Sequence, residues 1–339
     1  MVFVGGSVAV SGVLADAPLS TAQALRYAVA CVLLVVWARV TGRRLHRPRG
    51  VEWLWLLGVA VTGLVIFNIA LVRGAQHAEP AVLAVAVACV PIALAVVGPL
   101  QQGRRPGARV LAAAVVVTAG AIVVEGLGRC DAIGLLWALT VFVCEAGFTL
   151  LAVPVLGRHG PVGVSVHTTW LAVAIFAVLA IGTERPWTAA TFDTEDLLAI
   201  GYLAFGVTAV AFLLWYTCVS ALGAARAGLL TGIAPIAAAC IGIPVTAAMP
   251  RPAVWMGVAL IALGLAIGLG GRTGAIGSRQ WAPRAMRTPS HPRPASRCTP
   301  SSGDISTLRA DSNRATAACP TSPTPMTAKY VGPPAPWTG

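Results

Sequence analysis

Glu145 is the residue of this chain best placed to do chemistry. It stands near the middle of an apolar run, twelve residues after Ile133 and ten before Val155. An ionisable group at such depth in a membrane costs roughly 2.5–3.5 kcal/mol on insertion scales, so it faces a cavity or a partner. Low dielectric favours the protonated carboxyl, which would let a proton and a substrate compete for one site. The competing role is a protonated structural glutamate bonded to a neighbouring helix. Thr149, one turn on, shares its face. Arg26 lies about seven residues inside another run, with Gln23 almost one turn before it. A guanidinium there could hold an anionic substrate group, snorkel to the outer headgroups, or pair with another helix. Asn68, His167, Trp170, Trp215 and Tyr216 are further cavity-lining candidates. Trp and Tyr also gather at membrane interfaces, and that reading leads for Trp215 and Tyr216, near the end of their run. Pro91 and Pro235 lie inside two runs, where proline frees a carbonyl and kinks a helix. They are candidate hinges or static kinks.

The elements that carry these residues must lie in a lipid bilayer. The 339 residues are 57% hydrophobic and 11% charged, against about 25% charged in soluble domains. The net charge of +12 invites a nucleic-acid reading, which its placement argues against. Nine of the 24 basic residues follow Gly271, and most others sit in short loops. Eight cysteines are scattered without zinc or redox spacing. No metal or cofactor is implied.

Ten runs approach the length of about 20 apolar residues that a bilayer demands. They lie near 2–14, 19–40, 53–73, 80–101, 108–127, 132–157, 162–182, 197–219, 224–248 and 252–270. The chain also repeats itself. An offset of 143 carries Pro18 to Pro161, Gly58 to Gly201 and Gly63 to Gly206. An offset of 144 carries Pro91 to Pro235, Pro106 to Pro250 and Gly120 to Gly264. The seam is residues 126–132, so the expected units are 1–127 and 131–271. The first run is short, because the partners of Asp131 to Val143 fall before Met1. The duplication therefore expects an upstream start or a half helix. A cleaved signal peptide fits less well, since no basic stretch precedes the run.

Five helices per unit is an odd number. The fold expected is thus an all-α integral membrane protein of two inverted five-helix repeats, a recurring architecture of secondary transporters. Ten loop arginines, at 39, 43, 44, 47, 49, 104, 105, 109, 158 and 226, fall on one side. Four, at 73, 129, 185 and 251, fall on the other. The arginine-rich side is cytoplasmic by the positive-inside rule, and both termini lie there. Residues 272–339 are rich in Pro, Ser, Thr and Arg, and are expected to be a disordered cytoplasmic tail. Gly201 to Gly206 is expected to serve helix packing.

Specific stretches carry a family resemblance over residues 1 to about 271. Pro18-Leu-Ser-Thr-Ala-Gln-Ala-Leu-Arg26 resembles the start of the second helix of the EamA family, within the drug/metabolite transporter superfamily. Ala221 to Pro235 resembles the start of its ninth, and Pro252 to Gly264 its tenth. The acid-containing turn usual before the last helix of each half is absent, replaced by Arg104-Arg105-Pro106 and Ala248-Met249-Pro250. The resemblance implies a multi-pass cell-membrane transporter of small organic solutes, with export the expected direction and a proton a candidate coupling ion. No Gly-rich Lys-Ser/Thr nucleotide loop occurs. A membrane-embedded enzyme is the alternative, but no Gly-x-Ser-x-Gly or HExxH is present. A non-transporting scaffold is a further one.

The arginine asymmetry sets a test of topology. In a background without native cysteines, an impermeant thiol reagent applied to intact cells should label Thr191→Cys and spare Thr41→Cys. The reverse pattern inverts the orientation.

Overall fold

A computed structural model describes residues 18–184, 192–237, 240 and 251–270. The expected first run, 2–14, and the tail from 272 lie outside the described residues. Nine helical segments are described: α1 Leu19–Val40, α2 Glu52–Gly74, α3 Pro80–Gln101, α4 Ala108–Glu125, α5 Ala132–Leu150, α6 Val153–Thr183, α7 Thr194–Leu222, α8 Ala224–Ala237 and α9 Pro252–Leu269. All but α8 are long and apolar enough to cross a membrane.

Local sequence explains where the helices begin and end. Pro80 and Pro252 occupy first helical positions, where a missing N–H costs nothing. Asp131 caps α5 by accepting from the Gly134 amide at 2.6 Å. Asp193 and Asp196 cap α7 reciprocally. Gly126 (φ 81°) and Gly223 (φ 80°) close α4 and α7 in a left-handed conformation open to glycine.

The interiors of the helices are less regular. Residues Ala60–Ile66 of α2 and Leu203–Val210 of α7 are wound as π-helix, and Ala60 and Leu203 stand 143 residues apart. Proline breaks α3. The Ile92 amide turns to the Cys89 carbonyl at 3.1 Å, and the Ala88 carbonyl left behind accepts from the Thr118 hydroxyl of α4 at 2.9 Å. Pro91 is buried beside this break. Pro235 is half-buried in the last described turn of α8, just after a 3-10 segment, Leu230–Gly232.

The expected runs 132–157 and 162–182 are divided differently. α5 ends at Leu150, and α6 starts at Val153 and continues to Thr183 through a corner at Gly160 (φ 66°, ψ 174°). Pro154 supplies no N–H to continue α5, and a left-handed glycine makes the corner. α8 is described only to Ala237, short of the expected 248.

Three helices pack on their own counterparts at offsets of 143 to 144: α1 on α6, α3 on α8, and α4 on α9. In lipid, such contacts rest on close packing, since no hydrophobic force drives helices together. At α4 and α9 the glycines let backbone meet backbone. A β-carbon on Gly120 would lie 2.8 Å from the Gly257 carbonyl oxygen and the Ile261 nitrogen. One on Gly264 would lie 3.0 Å from the Ala113 carbonyl oxygen. Around them Val117, Leu229 and Ile261 are fully buried. Gly201 corrects the packing expectation, as its missing side chain borders open space.

Gly120→Ala should therefore cost about 1–3 kcal/mol by overpacking, measured by unfolding in mixed micelles. Gly201→Ala should be neutral or mildly stabilising, because alanine suits a helix better than glycine.

Candidate functional site

Two polar centres lie within the helices. The first joins α1, α2 and α7. Arg26 is the eighth residue of α1, about 10 Å along it at 1.5 Å per residue. Its guanidinium turns inward onto α7 and does not snorkel. Nε donates to Thr208 Oγ1 at 3.0 Å, and Nη1 to Gln23 Oε1 at 3.3 Å. Gln23 Nε2 donates to Asn68 Oδ1 at 3.2 Å. Asn68 Nδ2 donates to the Tyr27 hydroxyl at 2.9 Å and to the Leu64 carbonyl at 2.5 Å. Both π-helical segments contribute, one through Leu64 and the other through Thr208, whose hydroxyl also reaches the Leu203 carbonyl at 3.0 Å. Such segments recur at functional sites. Tyr27 and Thr208 are buried, while Gln23, Arg26 and Asn68 are half-exposed. No carboxylate among the described residues pairs with Arg26.

The second centre surrounds Glu145, the fourteenth residue of α5. Thr149 Oγ1 accepts from Trp215 Nε1 at 3.0 Å, and the Tyr216 hydroxyl donates to the Phe148 carbonyl at 3.4 Å. Phe148 packs against Phe212 and Tyr216, with ring centroids 5.0 and 5.2 Å away. Glycine makes room for this: Gly63 lies directly against Phe148, and Gly147 faces Thr62. Trp215 and Tyr216 are therefore buried, correcting the expectation that they mark a membrane interface. They turn inward because α5 supplies an acceptor for each polar tip. Glu145 as a residue is half-buried, and its carboxyl is within electrostatic reach of Tyr216. No hydrogen bond or ion pair holds it among the described residues.

Trp170 belongs elsewhere. Its Nε1 donates to His167 Nδ1 at 3.2 Å, and its ring meets Trp53 edge to face. His167 Nε2 bonds the His46 carbonyl at 2.9 Å. Beside it, Glu52 accepts from Arg158 Nη1 at 2.5 and 2.6 Å, from the Arg49 amide at 2.8 Å and from His159 Nε2 at 3.2 Å. His159, expected in a loop, is buried at the Gly160 corner. These groups fasten the start of α2 to the start of α6. The candidates of the sequence thus separate: Arg26 and Asn68 meet, Glu145, Thr149 and Tyr216 gather in a second place, and Trp170 stands in a third. Thr208 was missed as a site residue, since a lone threonine in an apolar run carries no signal. Among the described residues no three His, Cys, Asp or Glu side chains cluster as a metal site would require.

The other end of α1 is held by Glu184, just beyond α6. Its carboxylate accepts from the amides of Ser20 and Thr21 at 2.6 and 2.8 Å and from the Thr21 hydroxyl at 2.9 Å. These are orphan donors of a helix start, at the positive end of its dipole.

Long apolar helices that enclose ionisable and polar groups at depth define a multi-pass membrane protein built around an internal polar site. The chain belongs to the EamA-like transporter family, whose pattern matches residues 1–125 and again residues 132–269. It is similar to YetK, an uncharacterized transporter of Bacillus subtilis (strain 168), with 22% identity over 246 residues covering 70% of this chain and 74% of that one. A protein of known crystal structure superposes on it with a TM-score of 0.65 at 19% identity, over 79% of this chain and 94% of that one. That likeness shows the fold. The protein is a membrane transporter of the drug/metabolite type, and the family points away from an enzyme.

The Glu184 clamp gives a pH dependence. Burial alone would raise this carboxyl, but the Ser20 and Thr21 amides and the Thr21 hydroxyl outweigh it and hold it below the ordinary value of 4.5. A depressed carboxyl contributes stability above that value and loses it as pH falls through the folded-state value. Glu184→Gln should thus cost about 1 kcal/mol at pH 7, in the range for helix caps. The gap to wild type should narrow as pH falls below 4.5 and close once it has passed the lowered folded-state value. A gap independent of pH in thermal unfolding would show that the charge plays no part.

Proposed function

We propose that this protein is a secondary transporter that exports small organic metabolites or drugs across the cell membrane. In this reading ten spans form two inverted five-helix units, 1–127 and 131–271, with both termini and the 272–339 tail in the cytoplasm. The observation that carries it is Glu145: a carboxyl about 20 Å along a spanning helix, with no counter-ion among the described residues. A bilayer core is about 30 Å thick, so the group would lie inside it, a few ångströms from the midplane where inverted-repeat transporters bind substrate and coupling ion. Thr149 and Tyr216 place hydrogen-bonding groups around it, next to the aromatic surface of Phe148 and Phe212.

A carboxyl in this setting binds either a proton or a substrate, and that exclusion couples the two fluxes. The protein presents Glu145 to one side and then the other by rocking the units. Pro91 and Pro235 are the candidate pivots. The break of α3 at Cys89 supports the first, since its freed carbonyl is already served by Thr118 and bending there strands no polar group.

Replacing the charge while keeping the shape isolates this role. Glu145→Gln should insert and fold as wild type in proteoliposomes, yet lose solute efflux driven by a proton gradient by tenfold or more. Slow exchange without a gradient should survive. Wild-type efflux with an unchanged pH profile would make Glu145 structural.

A further inference from the structure

We infer that Arg26, with Gln23, Asn68 and Thr208, forms a binding site for a singly charged oxyanion, and that the transported solute carries it as a carboxylate. The inference deepens the transport reading and rests on it for the source of the anion.

The site is built from three helices, and its shape is set before any ligand arrives. Thr208 holds Nε of the guanidinium and Gln23 holds Nη1, at 3.0 and 3.3 Å. Asn68 fixes Gln23 in turn, and is itself tied to Tyr27 and to the Leu64 carbonyl. Tyr27 is immobilised against Phe176, with ring centroids 5.8 Å apart. A guanidinium has five N–H donors in a rigid planar fork. Two of the five are used here, which leaves three on Nη1 and Nη2 without an acceptor among the described residues. The acceptors present are neutral, and the centroid of the Tyr27 ring lies 5.2 Å from the guanidinium carbon, so no full negative charge balances the cation among the described residues. A charge in that position calls for a counter-ion. The free edge of the fork matches a carboxylate, which it can bind through two parallel bonds. Arg26, Gln23 and Asn68 are half-exposed while Thr208 and Tyr27 are buried, so the open face of the cluster is the one that carries the cation. One cation balances a monoanion and leaves a dianion in excess.

Thr208 and Gln23 are positioning residues: they orient the fork, and Arg26 makes the contact. The same chemistry could be met by the phosphodiester of an anionic lipid headgroup, because the site lies about 10 Å from the start of α1.

The test is thermal unfolding of the full-length protein with benzoate, with its neutral isostere benzamide, and in nanodiscs of phosphatidylcholine or phosphatidylglycerol. Benzoate should raise the apparent melting temperature of wild type by about 2–4 °C at saturation, and benzamide should not. Arg26→Gln should abolish the benzoate shift. Gln23→Glu keeps Arg26 but puts a carboxylate 3.3 Å from Nη1. It should fold at least as well as wild type and lose the shift, because the counter-ion is then internal. It also guards against an Arg26→Gln protein that does not fold. A shift with phosphatidylglycerol alone, lost in both variants, keeps the oxyanion site and assigns it to lipid. The proposal is overturned if wild type responds to neither anion, or if Gln23→Glu responds to benzoate as wild type does. Benzoate binding without solute efflux would sink the transport reading and leave the site standing. Efflux indifferent to Arg26 and Gln23 would do the opposite.

Discussion

The contact between α4 and α9 is made by backbone on backbone. Gly120, Gly257 and Gly264 remove side chains from the crossing, and the space a methyl group would need is filled by carbonyl oxygens and amide nitrogens of the facing helix. In water such a seam would be a weak one, since little apolar area is buried. In lipid the balance differs. Neighbouring acyl chains are as apolar as leucine, so shape complementarity and short-range attraction must hold helices together. The same device recurs where Gly63 admits Phe148 and Gly228 admits Leu94. Glycine at these crossings is a means by which the helices close on one another.

Close packing limits where polar groups can go. A hydroxyl or amide in this interior has no water to fall back on, and an unpaired one is costly. Most are spoken for locally: Ser165, Thr168 and Thr169 return their hydroxyls to carbonyls of their own helix. Against that background the two ionisable groups at depth stand apart. Arg26 is supported by neutral acceptors on two helices, and Glu145 by none. π-winding in α2 and α7 gives the backbone the extra carbonyl reach that Asn68 and Thr208 use.

The helices themselves were legible in the sequence because each is an unbroken apolar run ended by Pro, Gly or charge. The correspondence of α1 to α6 and of α4 to α9 was marked by punctuating residues such as Pro18 and Pro161, or Gly120 and Gly264, but nothing in the sequence said that these counterparts pack on each other. What was hidden depends on residues far apart in the chain. Arg26 finds Thr208 across 182 positions, and Glu52 finds Arg158 across 106. Neither pair has a local pattern. Trp215 and Tyr216 misled for a related reason: aromatic residues near a helix end look interfacial until α5 supplies their partners. The corner at Gly160 falls between the expected runs 132–157 and 162–182, whereas the end of α5 at Leu150, ahead of Pro154, went unread.

Glu184 bears on mechanics as well as on pH. It ties the first turn of α1 to the end of α6, Tyr27 stacks on Phe176 further along, and Leu34 meets Val166 beyond that. Three fastenings spread over the length of two helices resist their sliding and splaying. α1 and α6 therefore behave as a single beam with one bent end, the left-handed Gly160. Arg26 rides on that beam and Thr208 does not. Among the described residues the hydrogen bond to Thr208 is the one polar link from Arg26 to α7, so any movement of α7 against the beam would have to break it.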